Sequence, residues 1–369
     1  MFKKISILFI VVVVVYACSS SDNENDTQVD NFDRGALLTH FADNIIIPSY
    51  QDFTTKMNDL NSAGQNFVTN PNQTNLDLFR SSWLQAYKKW QRVEMFDIGM
   101  AEELQYYYHI NVFPLSVTDV EQNISSGSYD LGDPNNHDAQ GFPALDYLLY
   151  GVANSDQAIL EKYTTDNNAS SYKEYITNLL TKMADLTNSV TNDWVTNYRD
   201  TFVASTSNTA TSSFNKLVND YIFYYEKRLR ANKVGIPAGV FSDNPLPEKV
   251  EAYYNRMVSK ELALDALSFF KDVFEGKYNG NATANRSSYQ QYLEALERTD
   301  ISSGIINQLE SAETQLNTLN SNFFQQVNED NLQMRQAYDE LQKVVVLLKV
   351  DMLQAFSVNV DYVDGDGDG

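Results

Sequence analysis

Along most of this chain apolar residues recur three and four positions apart, and strand-like alternation is scarce. Such spacing lays one apolar stripe along a helix. The clearest stripe passes through Leu76, Phe79, Trp83, Tyr87, Trp90 and Val93, with Thr74 placed to cap its start. Ser171 with Glu174 forms a capping-box pattern ahead of Tyr175, Leu179, Met183, Leu186, Val190 and Trp194. Ser213 opens a further run through Leu217, Tyr221, Tyr224 and Arg228. Pro247 and Glu248 predict a helix leading through Val250, Tyr254, Met257 and Leu264, since Pro suits a first turn. Two long helices are expected over about 302–327 and 331–356. Eight prolines and fifteen glycines in 369 residues leave room for long uninterrupted helices, so the pattern predicts an all-α protein of packed bundles.

The breaks suggest an organisation. The Ser/Thr-rich stretch 201–213 separates an N-terminal helical domain over 32–200 from a C-terminal one over 213–357. Irregular segments 110–140 and 235–247 interrupt the pattern, and long loops inside compact helical proteins are often functional.

The N-terminus has a separate logic. Lys3 and Lys4 precede an apolar run from Ile5 to Val15, which is a secretory signal too short to span a bilayer as a mature helix. The stretch Val15-Tyr16-Ala17-Cys18 resembles the lipobox of bacterial lipoproteins, so residues 1–17 are expected to be removed and Cys18 acylated. Each buried acyl methylene contributes roughly 0.8 kcal/mol, and two or three chains anchor a protein firmly. This predicts a membrane partner and an envelope location, on the outer membrane at the periplasmic face or the cell surface. Residues 18–31 form a polar, acidic tether. Its acidity also resembles surface-export signals of some Gram-negative lipoproteins, and a solvated linker accounts for it equally.

Charge narrows the partners. With 27 Lys and Arg against 49 Asp and Glu, the net charge is −22, which excludes nucleic acid, whose binding requires cations to displace counterions. Metal cations or positively charged partners fit better. The tail 358–369 places Asp364, Asp366 and Asp368 at alternate positions like the opening of a calcium loop, without the closing Glu of an EF-hand; weak calcium binding and a solvated tail both account for it.

Among candidate site residues, Glu94 follows Trp90 by four and so lies on the apolar Trp face, where a carboxylate is costly unless paired. Glu226 and Arg228 precede the GIPAG loop and could pair across a cleft. Asp119 and Glu121 fit a capping box with Thr118. The richest segment is NNHDAQGFPALDYLLYG over 135–151, where Asp146 lies three residues beyond Pro143 on one helix face. No Gly-rich phosphate loop and no GxSxG elbow is present.

GFPALDYLLYG, taken with SSWLQAYKKWQRVEMFDIG over 81–99, RLRANKVGIPAGVF over 228–241 and SVNVDYVDGDGDG at the end, resembles the imelysin family of bacterial envelope proteins, whose signature is GxHxxE. The resemblance covers essentially the whole mature chain. It implies two four-helix-bundle-like domains with the motif facing an interdomain cleft. Members are described as metallopeptidases, and related proteins serve iron uptake. Carried over residue by residue, Gly141 takes the Gly position, Pro143 the His position and Asp146 the Glu position. Pro143 has neither a ligand atom nor a transferable proton. A zinc hydrolase usually needs three protein ligands, and the mature chain offers only His40, His109 and His137 as imidazoles. The expected function is therefore binding of a ligand or metal, iron or another divalent ion, in a cleft lined by Asp146, Glu94, His137, Gly141 and Arg228. Its role would be accessory to iron or haem uptake beside other envelope proteins, without peptidase activity. The rival is a zinc peptidase in which Asp146, Glu94 and His137 regroup, and a third reading is a surface interaction protein with a vestigial cleft.

Overall fold

Asn72 starts the Trp-rich helix two residues earlier than its pattern suggests. Its side-chain oxygen accepts the Asn75 N–H at 3.0 Å, so Thr74 lies inside the first turn. The computed structural model describes residues 30–282 and 286–361; the signal segment, Cys18, the tether as far as Val29, and Asp364, Asp366 and Asp368 lie outside them.

The elements that position the site are α1 (Arg34–Phe41), α2 (Ile47–Thr69), α3 (Gln73–Trp90), α4 (Val117–Ser126), α5 (Gly141–Asp146), α6 (Ala169–Asp193), α7 (Ser213–Phe223), α8 (Ser259–Phe274), α9 (Thr299–Thr318) and α10 (Asn331–Val346). The fold is all-α, as the spacing predicts. Among the described residues the one sheet is a hairpin of β1 (Lys277–Tyr278) and β2 (Asn281–Ala282).

In the first half, α2 packs against both α3 and α6. The α3 stripe of Leu76, Phe79, Trp83, Tyr87 and Trp90 is buried throughout, which removes enough apolar surface from water to hold this layer together. In the second half, α7 runs on without a break into wide π-type turns over Tyr224–Gly235, and this segment packs on α8 and α10, with α9 against α10. Tyr221 stacks on Phe270 with centroids 3.9 Å apart, and the Tyr225 hydroxyl donates to the Leu341 carbonyl at 3.0 Å. Helices on both sides of 201–213 contribute to one continuous core.

Several expected boundaries move. α6 begins at Ala169, which puts Ser171 inside it. The helix expected over 302–327 is two: α9 ends at Thr318, and Asn322 caps a new one at Phe323–Glu329 by accepting the Gln325 N–H at 3.0 Å. Segment 110–140 contains α4, capped by Ser116 in place of Thr118. The largest change follows Pro247. The turn there ends at Lys249, and the chain then runs irregularly to Asn255 and through one 3₁₀ turn at Arg256–Val258 to Ser259, because the N–H groups of Tyr254 and Asn255 are bound by a side chain from the other half and Ala252 sits at φ +56°.

Candidate functional site

Gly141 adopts φ +73°, and a Cβ there would come within 2.1 Å of the Ile110 carbonyl oxygen. The absence of that atom lets α5 enter the core. Phe142 stacks on Tyr87 at 4.4 Å, its carbonyl accepts the Trp83 indole N–H at 3.2 Å, and all of Gly141–Asp146 is buried. Asp146 stands at the far end of α5 and accepts two backbone bonds: Oδ2 accepts the Tyr254 N–H at 2.8 Å and Oδ1 the Asn255 N–H at 2.9 Å. Both oxygens therefore fasten the 250–258 crossing to the motif helix. Burial pushes the Asp146 carboxyl up to about 7, against the pull of those two N–H groups and of Arg256. With Pro143, Phe113, Pro114, Tyr253 and Tyr254 it lines a cavity of about 190 Å³.

Glu94 and Arg228 meet in another cavity, of about 300 Å³, together with Asp97, Glu102, Lys216, Asp220, Phe223, Tyr224 and Asp361. Glu94 is only 6% exposed, and its Oε2 has no hydrogen-bond partner among the described residues. Burial pushes its carboxyl up to about 7; Lys233 and Arg228 oppose the rise, while Glu251 and Asp97 add to it. Burial likewise pushes Asp97, Asp220 and Asp361 above the usual carboxylate range. Lys216 pairs with Glu102 at 3.0 Å, and Arg228 stands 3.9 Å from Asp97 while covering the Tyr107 ring. Asp361 is brought in from the chain's end by Asn219, whose amide donates to the Asn359 carbonyl at 3.0 Å and whose oxygen accepts the Asp361 N–H at 3.2 Å.

Beside Glu94 lies a buried ion pair. Lys233 donates to Glu251 Oε2 at 2.6 Å, and each is 2% exposed. Glu251 Oε1 accepts from Asn111 at 3.0 Å and Gln91 at 3.2 Å, and Asn111 accepts the Tyr87 hydroxyl at 2.5 Å. This network ties α3 to the π-type segment and the crossing.

The other candidates fall elsewhere. His137 stacks on Tyr108 at 5.3 Å and meets the edge of His109 at 4.9 Å, and it lines neither cavity. His109 pairs with Gln140 and His40 with the Gly276 carbonyl. Glu226 does not turn to Arg228 across a cleft: fully buried, it lies 2.8 Å from Lys227, 3.2 Å from Lys349 and 3.9 Å from Arg230. Among the described residues no three His, Cys, Asp or Glu side chains converge closely enough to hold a metal ion. Asp146, Glu94 and His137 thus do not regroup around zinc. The arrangement can instead attract positive charge into the larger cavity, where desolvation strengthens the field of each carboxylate.

Sequence reasoning missed Asp97, Asp220, Asp361, Lys233 and Glu251. Asp97 follows Glu94 by three in an otherwise apolar stretch, and Lys233 precedes Val234 on a buried segment, which are the available signals.

The raised carboxyls make a pH prediction. Unfolded Asp and Glu ionise near 4, while folded Glu94 and Asp146 do so at about 7, so the folded chain holds more protons between these values. Their stabilising contribution is complete below about pH 4 and is lost as pH rises to about 7, by on the order of 3–4 kcal/mol per group. Urea midpoints should fall between pH 5 and 8, and Glu94→Gln should flatten part of that fall. An unchanged slope in the variant would show that Glu94 ionises normally.

The sequence profile of imelysin, a peptidase family, matches residues 46–350. Iron-regulated protein A of Synechococcus elongatus is 24% identical over 139 residues, a match spanning 36% of this chain and 38% of that relative. Among solved structures, an imelysin-like protein from Psychrobacter arcticum superposes with a TM-score of 0.70 at 16% identity, over 89% of this chain and 97% of the other. A putative iron-regulated protein A precursor from Parabacteroides distasonis gives 0.72 at 16% identity, over 88% and 95%. These two share the fold. No helix among the described residues is long and apolar enough to cross a membrane. On the extent of the profile match, the chain belongs to the imelysin family.

Proposed function

We propose that this imelysin-family protein is a cell-envelope lipoprotein, anchored through acylated Cys18, that holds an iron-bearing cation in its acidic cavity as an accessory to iron uptake. The observation that carries this reading is Glu94, a nearly buried carboxylate with an unpartnered oxygen in the wall of a cavity with four further carboxylates. A buried group of that kind is costly unless a ligand satisfies it. The names of two similar proteins, the iron-regulated protein A of Synechococcus elongatus and the putative iron-regulated protein A precursor of Parabacteroides distasonis, favour iron among cations. Haem suits the cavity less well, because its propionates would be repelled and no imidazole lines the walls. Peptidase action has little support in these residues, since Pro143 offers no ligand atom and Asp146 spends both oxygens on backbone N–H groups.

The test is elemental analysis of protein purified without chelator, then titration with iron as the aquo ion and as chelates of different charge. Saturable binding that weakens in Glu94→Gln is expected. Absence of saturable binding for every form of iron would overturn the reading. Incubation with unfolded protein substrate should yield no cleavage; chelator-sensitive cleavage lost in Asp146→Ala would restore the peptidase.

A further inference from the structure

Resting on the iron reading of this cavity, we propose that it takes an alkylammonium arm of a cationic metal chelate, while the metal keeps its own donors at the mouth. Three observations converge. The first is charge. Glu94, Asp220 and Asp361 reach the cavity from the end of the Trp helix, from α7 and from the C-terminal segment, and among the described residues none of the three is in an ion pair, whereas Glu102 and Asp97 face Lys216 and Arg228. One of these three, Glu94, is 6% exposed with an oxygen that has no hydrogen-bond partner among the described residues. A cation is the occupant that removes this cost.

The second is coordination. No three acidic or imidazole side chains among the described residues come together around one point, so the carboxylates are spread along the walls. A bare metal ion would find too few donors there; six to eight oxygens suit calcium, and iron sites likewise need several ligands. An ammonium group needs only three acceptors in loose geometry, which spread carboxylates supply.

The third is size and wall chemistry. At about 300 Å³ the cavity lies at the bottom of the range for small-molecule pockets, so it suits one arm of a ligand better than a complete chelate. Phe223 and Tyr224 add aromatic surface suited to methylenes and to a cation over a ring. Arg228 over Tyr107 already uses that contact at the edge of the same cavity.

The probe is ferrioxamine B, a ferric tris-hydroxamate with one pendant primary ammonium, titrated into the full protein by calorimetry. Beside it run its N-acetylated form, ferric citrate and the iron-free diamine cadaverine. The ammonium chelate should bind with a salt-dependent affinity, and acetylation should weaken it by about tenfold or more. Glu94→Gln and Asp220→Asn should each weaken it by about tenfold, with folding checked by circular dichroism. Equal binding of the acetylated or the citrate chelate would overturn the ammonium proposal and leave the iron reading standing. Cadaverine binding as tightly as the chelate would overturn the iron reading and leave the ammonium class. Binding of none of the four would overturn both.

Discussion

Lys233→Met should destabilise the fold by about 3–5 kcal/mol, read as a drop in urea midpoint, because it leaves Glu251 charged and buried without its cation. Lys233 and Glu251 are each 2% exposed and 2.6 Å apart, and bulk water cannot reach in to solvate whichever charge remains. Asn111 and Gln91 still donate to Glu251, which softens the loss without cancelling it. Glu94 is affected as well, since Lys233 is the strongest of the groups holding its carboxyl down, and in the variant Glu94 should titrate higher. The double variant Lys233→Met/Glu251→Gln discriminates between explanations. Gln keeps an oxygen for Asn111 and Gln91 while removing the stranded charge, so most of the lost stability should return. If the double variant is as unstable as the single one, the damage comes from packing around the lysine stem and not from unpaired charge.

That ion pair also shows where sequence reading stops. Helical periodicity located α3 and the runs through α6 and α7 because burial of one face is a local property, written every third or fourth residue. Glu94 was legible for the same reason: it shares a face with Trp90. Glu251 was not, since it lies in a stretch whose apolar spacing imitates a helix after Pro247. The imitation fails physically at two points. Asp146, more than a hundred residues earlier, captures the N–H groups of Tyr254 and Asn255, and Met257, expected on a buried stripe, is 62% exposed. A tertiary hydrogen bond outweighed weak local propensity. The acidic cavity was half legible. Glu94 and Arg228 line one cavity while Asp146 lines another, and Asp361 joins the first only because Asn219 pins the C-terminal segment, a contact across 142 positions with no local trace. Asp146 was expected to line a ligand or metal cleft, yet both its oxygens accept backbone N–H groups, partners which no pattern of side chains could announce.

Gly141→Ala tests whether the motif's glycine serves the chemistry or the architecture. The variant should lose about 3–5 kcal/mol or fail to fold, for two additive reasons. A non-glycine residue at φ +73° costs about 1–2 kcal/mol, and the new Cβ would stand 2.1 Å from the Ile110 carbonyl oxygen, an overlap with backbone that cannot swing aside. Gly127→Ala provides the internal control. Gly127 has nearly the same φ, +63°, but nothing among the described residues lies within 4 Å of its missing Cβ, so only the conformational cost of about 1 kcal/mol applies. The difference between the two variants isolates the steric part. If α5 is pushed outward in Gly141→Ala, Asp146 leaves its two N–H partners, and hydrogen exchange at Tyr254 and Asn255 should accelerate before global unfolding does. Equal losses in the two variants would mean that α5 yields without strain, and the glycine would then have to be explained by a ligand approaching the backbone rather than by Ile110.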